Sequence, residues 1–399
     1  MNSEIKNQSG KARTFNPFLR AASDKMKKLI GEVQSQVEGY EYYYKLRKRL
    51  RRNTDQVTFE RILEAVVCDL CVCVLQPQYD AVHLTQSNKV LRNKSRYKGT
   101  ALGKTLPDII KVLIAEEMNF AGLKKGHSTF KIIDDELNVA FAGGQQSTLW
   151  AGPKLLSRID SFALGFDDIK PDTEEEVIIL RAPKLFSEKT GQLVEYKDTD
   201  ETVTLRHQLK DINSWLGKAN ISCDLTDVNV QDRRLRRIFN NSDFAQGGRL
   251  YGGFWQAMSS DDRQEHILIK GDCCVELDYG QMSLAILYGL TGAKPPEGDL
   301  YDLSAEGIST DYRKGIKTVI QALINSSKVP TKMPKGVRKH IPARCSISDI
   351  LKAVERKHPV IYPQMTSGIG MQLFRKESDI LVDVLETLWS ENIVALPVH

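Results

Sequence analysis

VELDYGQMSLAILY, residues 275–288, joins two periodicities within fourteen residues and decides how the second half of the chain is read. Cys273, Val275 and Leu277 alternate with Cys274, Glu276 and Asp278, the period of a β-strand, while SLAILYGL from Ser283 has the apolar density of a packed helix. The pattern predicts a strand ending at Asp278 and a helix beginning just after it. A carboxylate held rigidly at the rim of a sheet suits a metal-binding acid. An aspartate in that place also caps helices and forms turns, so the stretch by itself leaves both roles open.

Downstream, DYRKGIKTVIQALINSS at 311–327 predicts a helix. Arg313, Lys317, Gln321 and Asn325 follow one another at four-residue steps and form one polar stripe ~18 Å long, with Ile316, Val319, Ile320 and Leu323 behind it. Two cations near the helix N-terminus, followed by two amides, suit a ligand with phosphates at one end and a base or sugar at the other. An amphipathic surface helix is the competing reading of the same residues.

The 399 residues, 41% of them hydrophobic, suffice for two or three domains with real cores. No apolar run approaches the ~18 residues of a membrane span, and MNSEIKNQSGKARTF lacks the apolar core of a secretory signal, so a cytoplasmic protein is expected. Seven cysteines, three of them in Cys68, Cys71 and Cys73, do not make a disulfide framework in a chain of this size. Their near-continuous apolar surroundings, RILEAVVCDLCVCVLQ, predict a buried helix in place of a zinc site. The net charge of +5 is modest, but the cations are bunched at 45–52 (KLRKRLRR), 233–237 (RRLRR) and 332–340 (KMPKGVRKH). Such bunching is a footprint for nucleic acid; for the first cluster, a solvated continuation of the preceding helix reads equally well.

Residues 23–75 read as two helices separated by RRNTDQ, with Thr54 or Asp55 as N-cap. GTALGKT at 99–105 does not match a phosphate-binding loop, because three residues and not four separate Gly99 from Gly103. Residues 107–150 suggest a helix followed by short extended pieces, as in a small winged-helix-like unit. EVIILRAP and QLVEYKD are two extended runs able to pair as a hairpin, and TVTLRHQLKDINSWLGKANI has helical spacing. The boundary between halves is expected near 200–228.

From about residue 230 onward, the ordered motifs resemble family A DNA polymerases and the related phage-type single-subunit RNA polymerases, and more closely a bacterial polymerase-like group carrying GGRxYGGxWQ and VELDY segments. VELDYGQMSLAIL is similar to the first catalytic motif of that family, whose aspartate binds both metal ions. DYRKGIKTVIQALIN resembles the fingers-helix motif, and GGRLYGG with Arg249 and Tyr251 resembles the segment that contacts primer and template. Arg263 stands where the family has an arginine ahead of the strand, and ILVDVLETLWSENIVALPVH resembles the helix and strand that lead into the third motif.

The chain is expected to be α+β: its patterning gives a helical region at 1–95 and a mixed α+β region at 96–205, which the resemblance does not reach, and the resemblance implies the first part of a palm at 206–290, a fingers-like helical insertion at 291–375 and a return to the palm at 376–399. It implies a template-directed nucleotidyltransferase of phage or mobile-element type, with nucleic acid and nucleoside triphosphates as partners. Asp278 would hold Mg2+ or Mn2+, and Arg313, Lys317, Gln321, Asn325, Gln281 and Ser283 would bind nucleotide. Arg249, Arg263 and Tyr251 would contact nucleic acid. Ser283 stands where DNA-synthesising members carry a glutamate that crowds the sugar 2'-position, Gln321 replaces the fingers aromatic, and Asn325 the tyrosine. The chain ends at His399, one residue before the aspartate of the third motif, so a truncated and catalytically inert piece is expected. The alternative is a polymerase-fold protein that lost the chemistry and kept nucleic-acid binding or a regulatory role.

Overall fold

A computed structural model describes residues 11–132, 139–185 and 190–398 of a mixed α+β chain built on several small sheets. Residues 1–10 and His399, on which the readings of the two chain ends rested, lie outside the described residues. The chain forms two compact units. One holds the residues up to Glu176 together with Asn220–Arg234 and His266–Gly271; the other holds Val177–Ala219, Leu235–Glu265 and the chain from Asp272 on. The chain therefore crosses between units several times, where a single boundary was expected from the sequence.

In the first unit, Ser23 accepts a hydrogen bond from the Met26 amide (3.2 Å) and opens the helix Asp24–Tyr43. Met26, Leu29, Val33 and Val37, spaced at three and four residues, are buried along one face. They pack in one core with Phe59, Ile62, Leu63, Val66 and Leu70 of the helix Asn53–Leu75. That second helix starts two to three residues earlier than expected: Arg52 is its N-cap, and Thr54 and Asp55 lie inside its first turn, where the Asp55 carboxylate favours the positive helix end. Cys68, Cys71 and Cys73 are buried in it as expected, and burial pushes all three thiols up, Cys73 to about 11.

The helix Leu106–Leu113 is followed by extended pieces, but these do not make a separate winged-helix-like unit. Strands Ala121–Lys124 and Ser147–Ala151 join Ala81–Leu84 and Ala12–Thr14 in one four-stranded sheet, whose Ala12–Thr14 edge is parallel and whose other pairings are antiparallel.

The second unit is organised by a three-stranded sheet. Arg236–Asn240 lies between Asp243–Tyr251, antiparallel, and Ile178–Leu180, parallel. The two runs expected to form a hairpin do meet, through an Arg181–Leu193 bridge and the Val194 N–H donating to Leu180 O at 2.9 Å. The helix Asp200–Lys218, capped by Thr199, covers most of the segment expected to be helical at 202–221, but it begins two residues earlier and ends before Ile221, which lies in a strand. A second core forms from Leu284, Leu287, Ile316, Val319, Ile320, Leu323, Ile350, Val354 and Leu373.

The helix Gly370–Ser390 lies on the strand Asp243–Tyr251. Arg237, 2% exposed, ties the two together: it meets Asp379 at 2.5 Å and donates from Nε to Gly248 O (2.8 Å) and Ser378 Oγ (3.1 Å). Among the described residues, one expected strand is cut short and another does not form. The strand expected to end at Asp278 covers only Asp272–Cys273, and the final residues through Val398 form no ladder. The final segment instead gives its Pro397 carbonyl to Trp255 Nε1 (2.7 Å) and Gln256 Nε2 (3.0 Å).

Candidate functional site

Beyond Cys273 the segment through Asp278 that carries the first motif has no regular secondary structure, and it is exposed from Val275 on. Val275 and Leu277 are 81% and 89% exposed, so the apolar half of the alternation meets solvent and not a sheet. Asp278 is therefore not at a strand's end. It is exposed and makes no hydrogen bond or ion pair with the described residues. Its neighbour Glu276 is held in a fork by Arg263, at 2.8–3.0 Å, and accepts from Ser260 Oγ at 3.0 Å. The Arg263 bonds hold the Glu276 carboxyl below its ordinary range. Arg263 also donates to Met258 O at 2.6 Å, so this arginine anchors the segment.

Gln281 follows in the left-handed conformation, φ 63°, and its side-chain oxygen accepts from the Leu300 amide. A non-glycine residue in that conformation costs about 1 kcal/mol or more and persists where its surroundings demand it. Here the turn starts the helix Met282–Thr291, with Ser283 on its first turn, and fastens the 299–303 loop beside it. Asp299 finishes that fastening. It accepts from the Tyr301 amide (3.1 Å) and from both Nε and Nη2 of Arg313. Partial burial pushes the Asp299 carboxyl up, but the Arg313 bonds outweigh it and leave the group below its usual range. Lys357 donates to the Asp299 and Asp302 carbonyls. Buried His358 bridges Tyr288 Oη (2.8 Å, at Nδ1) and Leu300 O (2.8 Å, at Nε2). A carbonyl only accepts, so Nε2 carries the proton and Nδ1 accepts from Tyr288.

The helix Arg313–Ile324 presents the expected stripe, with Ile316, Val319, Ile320 and Leu323 buried behind it. Arg313 is paired with Asp299 and lies 5.2 Å from the Tyr301 ring. Lys317 is exposed and has no hydrogen bond or ion pair among the described residues. Gln321 Nε2 lies 3.4 Å from both Ser283 Oγ and Tyr301 Oη, so the stripe faces the first turn of the Met282–Thr291 helix. Asn325 ends the helix as its C-cap and donates back to Gln321 O at 2.8 Å. Gly370 packs against it so closely that a Cβ there would collide with the Asn325 amide.

The nucleic-acid candidates are placed differently. Arg249 pairs with Glu377 (2.9 Å) and stacks 3.8 Å from the Phe374 ring. Tyr251 ends its strand, 40% exposed. The 233–237 cluster is no surface footprint: Arg233, Arg234 and Arg237 are all buried. Arg233 donates to the Val230 and Ile221 carbonyls, and Arg234 to the Glu175 carbonyl while pairing with the Glu175 carboxylate at 3.2 Å. By contrast, Lys332, Lys335 and Lys339 of the third cluster are exposed.

No family model, curated protein or solved structure matches this chain. The geometry thus stands on its own residues. Sequence reasoning missed Asp299, Tyr301, Lys357 and His358, which fix the 299–303 loop under the stripe. The one local signal was Asp299 two residues before Tyr301, the spacing of an Asx-turn. Among the described residues, no group of three or more His, Cys, Asp or Glu side chains is placed to hold a metal, and no helix is long and apolar enough to cross a membrane.

Proposed function

We propose that the face formed by the Arg313–Ile324 helix and Ser283 binds a nucleoside triphosphate, and that the chain belongs to a template-directed nucleotidyltransferase of the polymerase type. The observation that carries the reading is the approach of Gln321 Nε2 to Ser283 Oγ at 3.4 Å. It brings two motifs 38 residues apart onto one surface, with Lys317, which has no ion pair among the described residues, one turn toward the helix N-terminus. In this reading Arg313 and Lys317 take the phosphates, where the helix N-terminus also favours negative charge. Gln321 and Asn325 lie toward base and sugar. Ser283, with a hydroxyl in place of a bulky acid, accepts a ribose 2'-hydroxyl. Gln281 shapes the turn beneath them. Arg263 and Arg249, each paired with a carboxylate, hold backbone segments in place for nucleic acid that passes Tyr251.

A two-metal centre of Mg2+ or Mn2+ needs several anionic ligands around ions roughly 4 Å apart. Beside Asp278, Glu276 is occupied by Arg263, and among the described residues no group of three or more His, Cys, Asp or Glu side chains is placed to hold a metal. That donor set does not fit two metals, so no transfer step is derived through a metal. The same observation favours a second reading, a polymerase-like protein that binds nucleic acid or regulates without catalysis.

Titrating the 399-residue protein with a labelled nucleoside triphosphate tests the first reading, with saturable binding weakened by Lys317→Ala as the expected result. Absence of binding overturns it. Primer extension separates the two readings: nucleotide addition in Mg2+ or Mn2+ by this chain contradicts the donor-set argument.

A further inference from the structure

The connection between the first two helices, outside the surface discussed above, has a construction of its own. The helix Asp24–Tyr43 does not run on into the basic cluster, as one reading of the sequence had it. Tyr44 is the C-cap, Lys45 turns left-handed at φ 53°, and two bonds close the end: Leu46 N–H to Glu41 O (2.9 Å) and Lys45 N–H to Tyr42 O (3.2 Å). This six-to-one plus five-to-two pairing is a Schellman ending, here with lysine where glycine is usual.

The far end of the connection is pinned as well. Arg51 reaches back to both oxygens of the buried Glu41 carboxylate at 2.6 Å and stacks 3.6 Å over the Phe59 ring. Tyr44 donates to Glu117 at 2.9 Å and stacks on Tyr40 at 4.4 Å. Residues 45–50 therefore form an anchored projection. Of the cations at 45–52, Arg51 alone has an ion pair among the described residues. Lys45, Arg47, Lys48, Arg49 and Arg52 are exposed and make no hydrogen bond or ion pair with the described residues. Beside them the rings of Tyr42 and Tyr43 stand 87% and 76% exposed, and Leu50 is 94% exposed.

We propose that this projection is a binding site for single-stranded nucleic acid, in which bases stack on Tyr42 and Tyr43 while Lys45, Arg47, Lys48, Arg49 and Arg52 neutralise the phosphates. Basic residues interleaved with exposed aromatic faces are the arrangement that holds single strands without sequence preference. A duplex backbone offers phosphates but no open base faces, so it leaves both rings idle. An anionic membrane fits less well. Consecutive helical residues project ~100° apart, so Tyr42 and Tyr43 cannot enter one plane together, whereas a flexible strand can bend to meet both. The site does not depend on the nucleotide-binding reading.

The test is anisotropy titration of the full chain with a labelled oligothymidylate and with a duplex of equal length. Tyr42→Ala with Tyr43→Ala is expected to weaken single-strand binding by at least about tenfold, since stacking contributes about that much per base. Phenylalanine at both positions should restore it. Neutralising Lys45, Arg47, Lys48 and Arg49 together should flatten the salt dependence. All these side chains are exposed, and an unchanged thermal melt checks that the fold is intact. The proposal is overturned if the oligothymidylate does not bind, if alanine at both tyrosines leaves its affinity unchanged, or if the duplex competes equally. Loop-dependent binding to phosphatidylserine vesicles without oligonucleotide binding overturns it in favour of a membrane. Oligonucleotide binding that survives the loop changes but falls with Lys317→Ala overturns it while leaving the nucleotide-binding reading intact.

Discussion

Replacing Lys317 with alanine separates binding from folding at the candidate site. The ammonium is exposed and has no ion pair among the described residues, so no internal partner is orphaned when it is removed. Stability should stay within about 0.5 kcal/mol, the usual range for surface substitutions. A charge-assisted contact to a phosphate is worth about 1.5–3 kcal/mol, or roughly 10- to 150-fold in affinity. Solvent around an exposed lysine screens the contact, so the expected loss lies near tenfold. Arg313→Ala serves as the contrast. Its guanidinium already serves Asp299 in a half-exposed pair, worth at most about 1 kcal/mol, and removing it frees that carboxylate beside the proposed phosphate position. Isothermal titration with a nucleoside triphosphate, read beside a thermal melt, measures both quantities. Unchanged affinity in Lys317→Ala refutes the assignment, as does a loss of affinity that merely follows a loss of stability.

Three further outcomes are expected. Burial lowers the His358 pKa below its ordinary 6.5, so the folded state holds it neutral. Its contribution is complete above about pH 6.5 and is lost as the pH falls from there toward the lowered value, because only the unfolded chain takes up the proton. Denaturant melts between about pH 7 and 5 should show that slope, and His358→Gln should flatten it; an equal slope in the variant sinks the argument. Arg237→Ala breaks a buried pair, and because Asp379 is one-third exposed and also bound by Arg375, the cost should sit at the low end, about 3 kcal/mol in equilibrium unfolding. A cost under about 1 kcal/mol would mean that the pair is not formed. Ser283→Glu should reduce affinity for ribonucleoside triphosphates more than for deoxyribonucleoside triphosphates, as competitive titrations would reveal, and equal effects contradict the placement of the sugar at Ser283.

Helical periodicity was legible without any structure. Met26, Leu29, Val33 and Val37, or Ile316, Val319, Ile320 and Leu323, must share a face whatever they pack against, because 3.6 residues make a turn. The burial of Cys68, Cys71 and Cys73 followed from the same local logic, and so did the polar stripe from Arg313 to Asn325. A strand is different, since its hydrogen bonds belong to a neighbour that the sequence does not name. The alternation through 273–278 is a real pattern, yet among the described residues the strand stops at Cys273, and Val275 and Leu277 face solvent.

Charge was equally undecided by sequence. RRLRR at 233–237 and KLRKRLRR at 45–52 look alike on paper. In the fold, carbonyls and carboxylates from distant segments, Ile221, Glu175, Gly248 and Asp379, surround the buried arginines of the first. The second keeps five cations in water: Arg51 has taken Glu41, and none of the five has an ion pair among the described residues. Whether a run of arginines is scaffold or binding surface depends on acceptors far away in the chain, and only the tertiary structure brings those acceptors within hydrogen-bond distance.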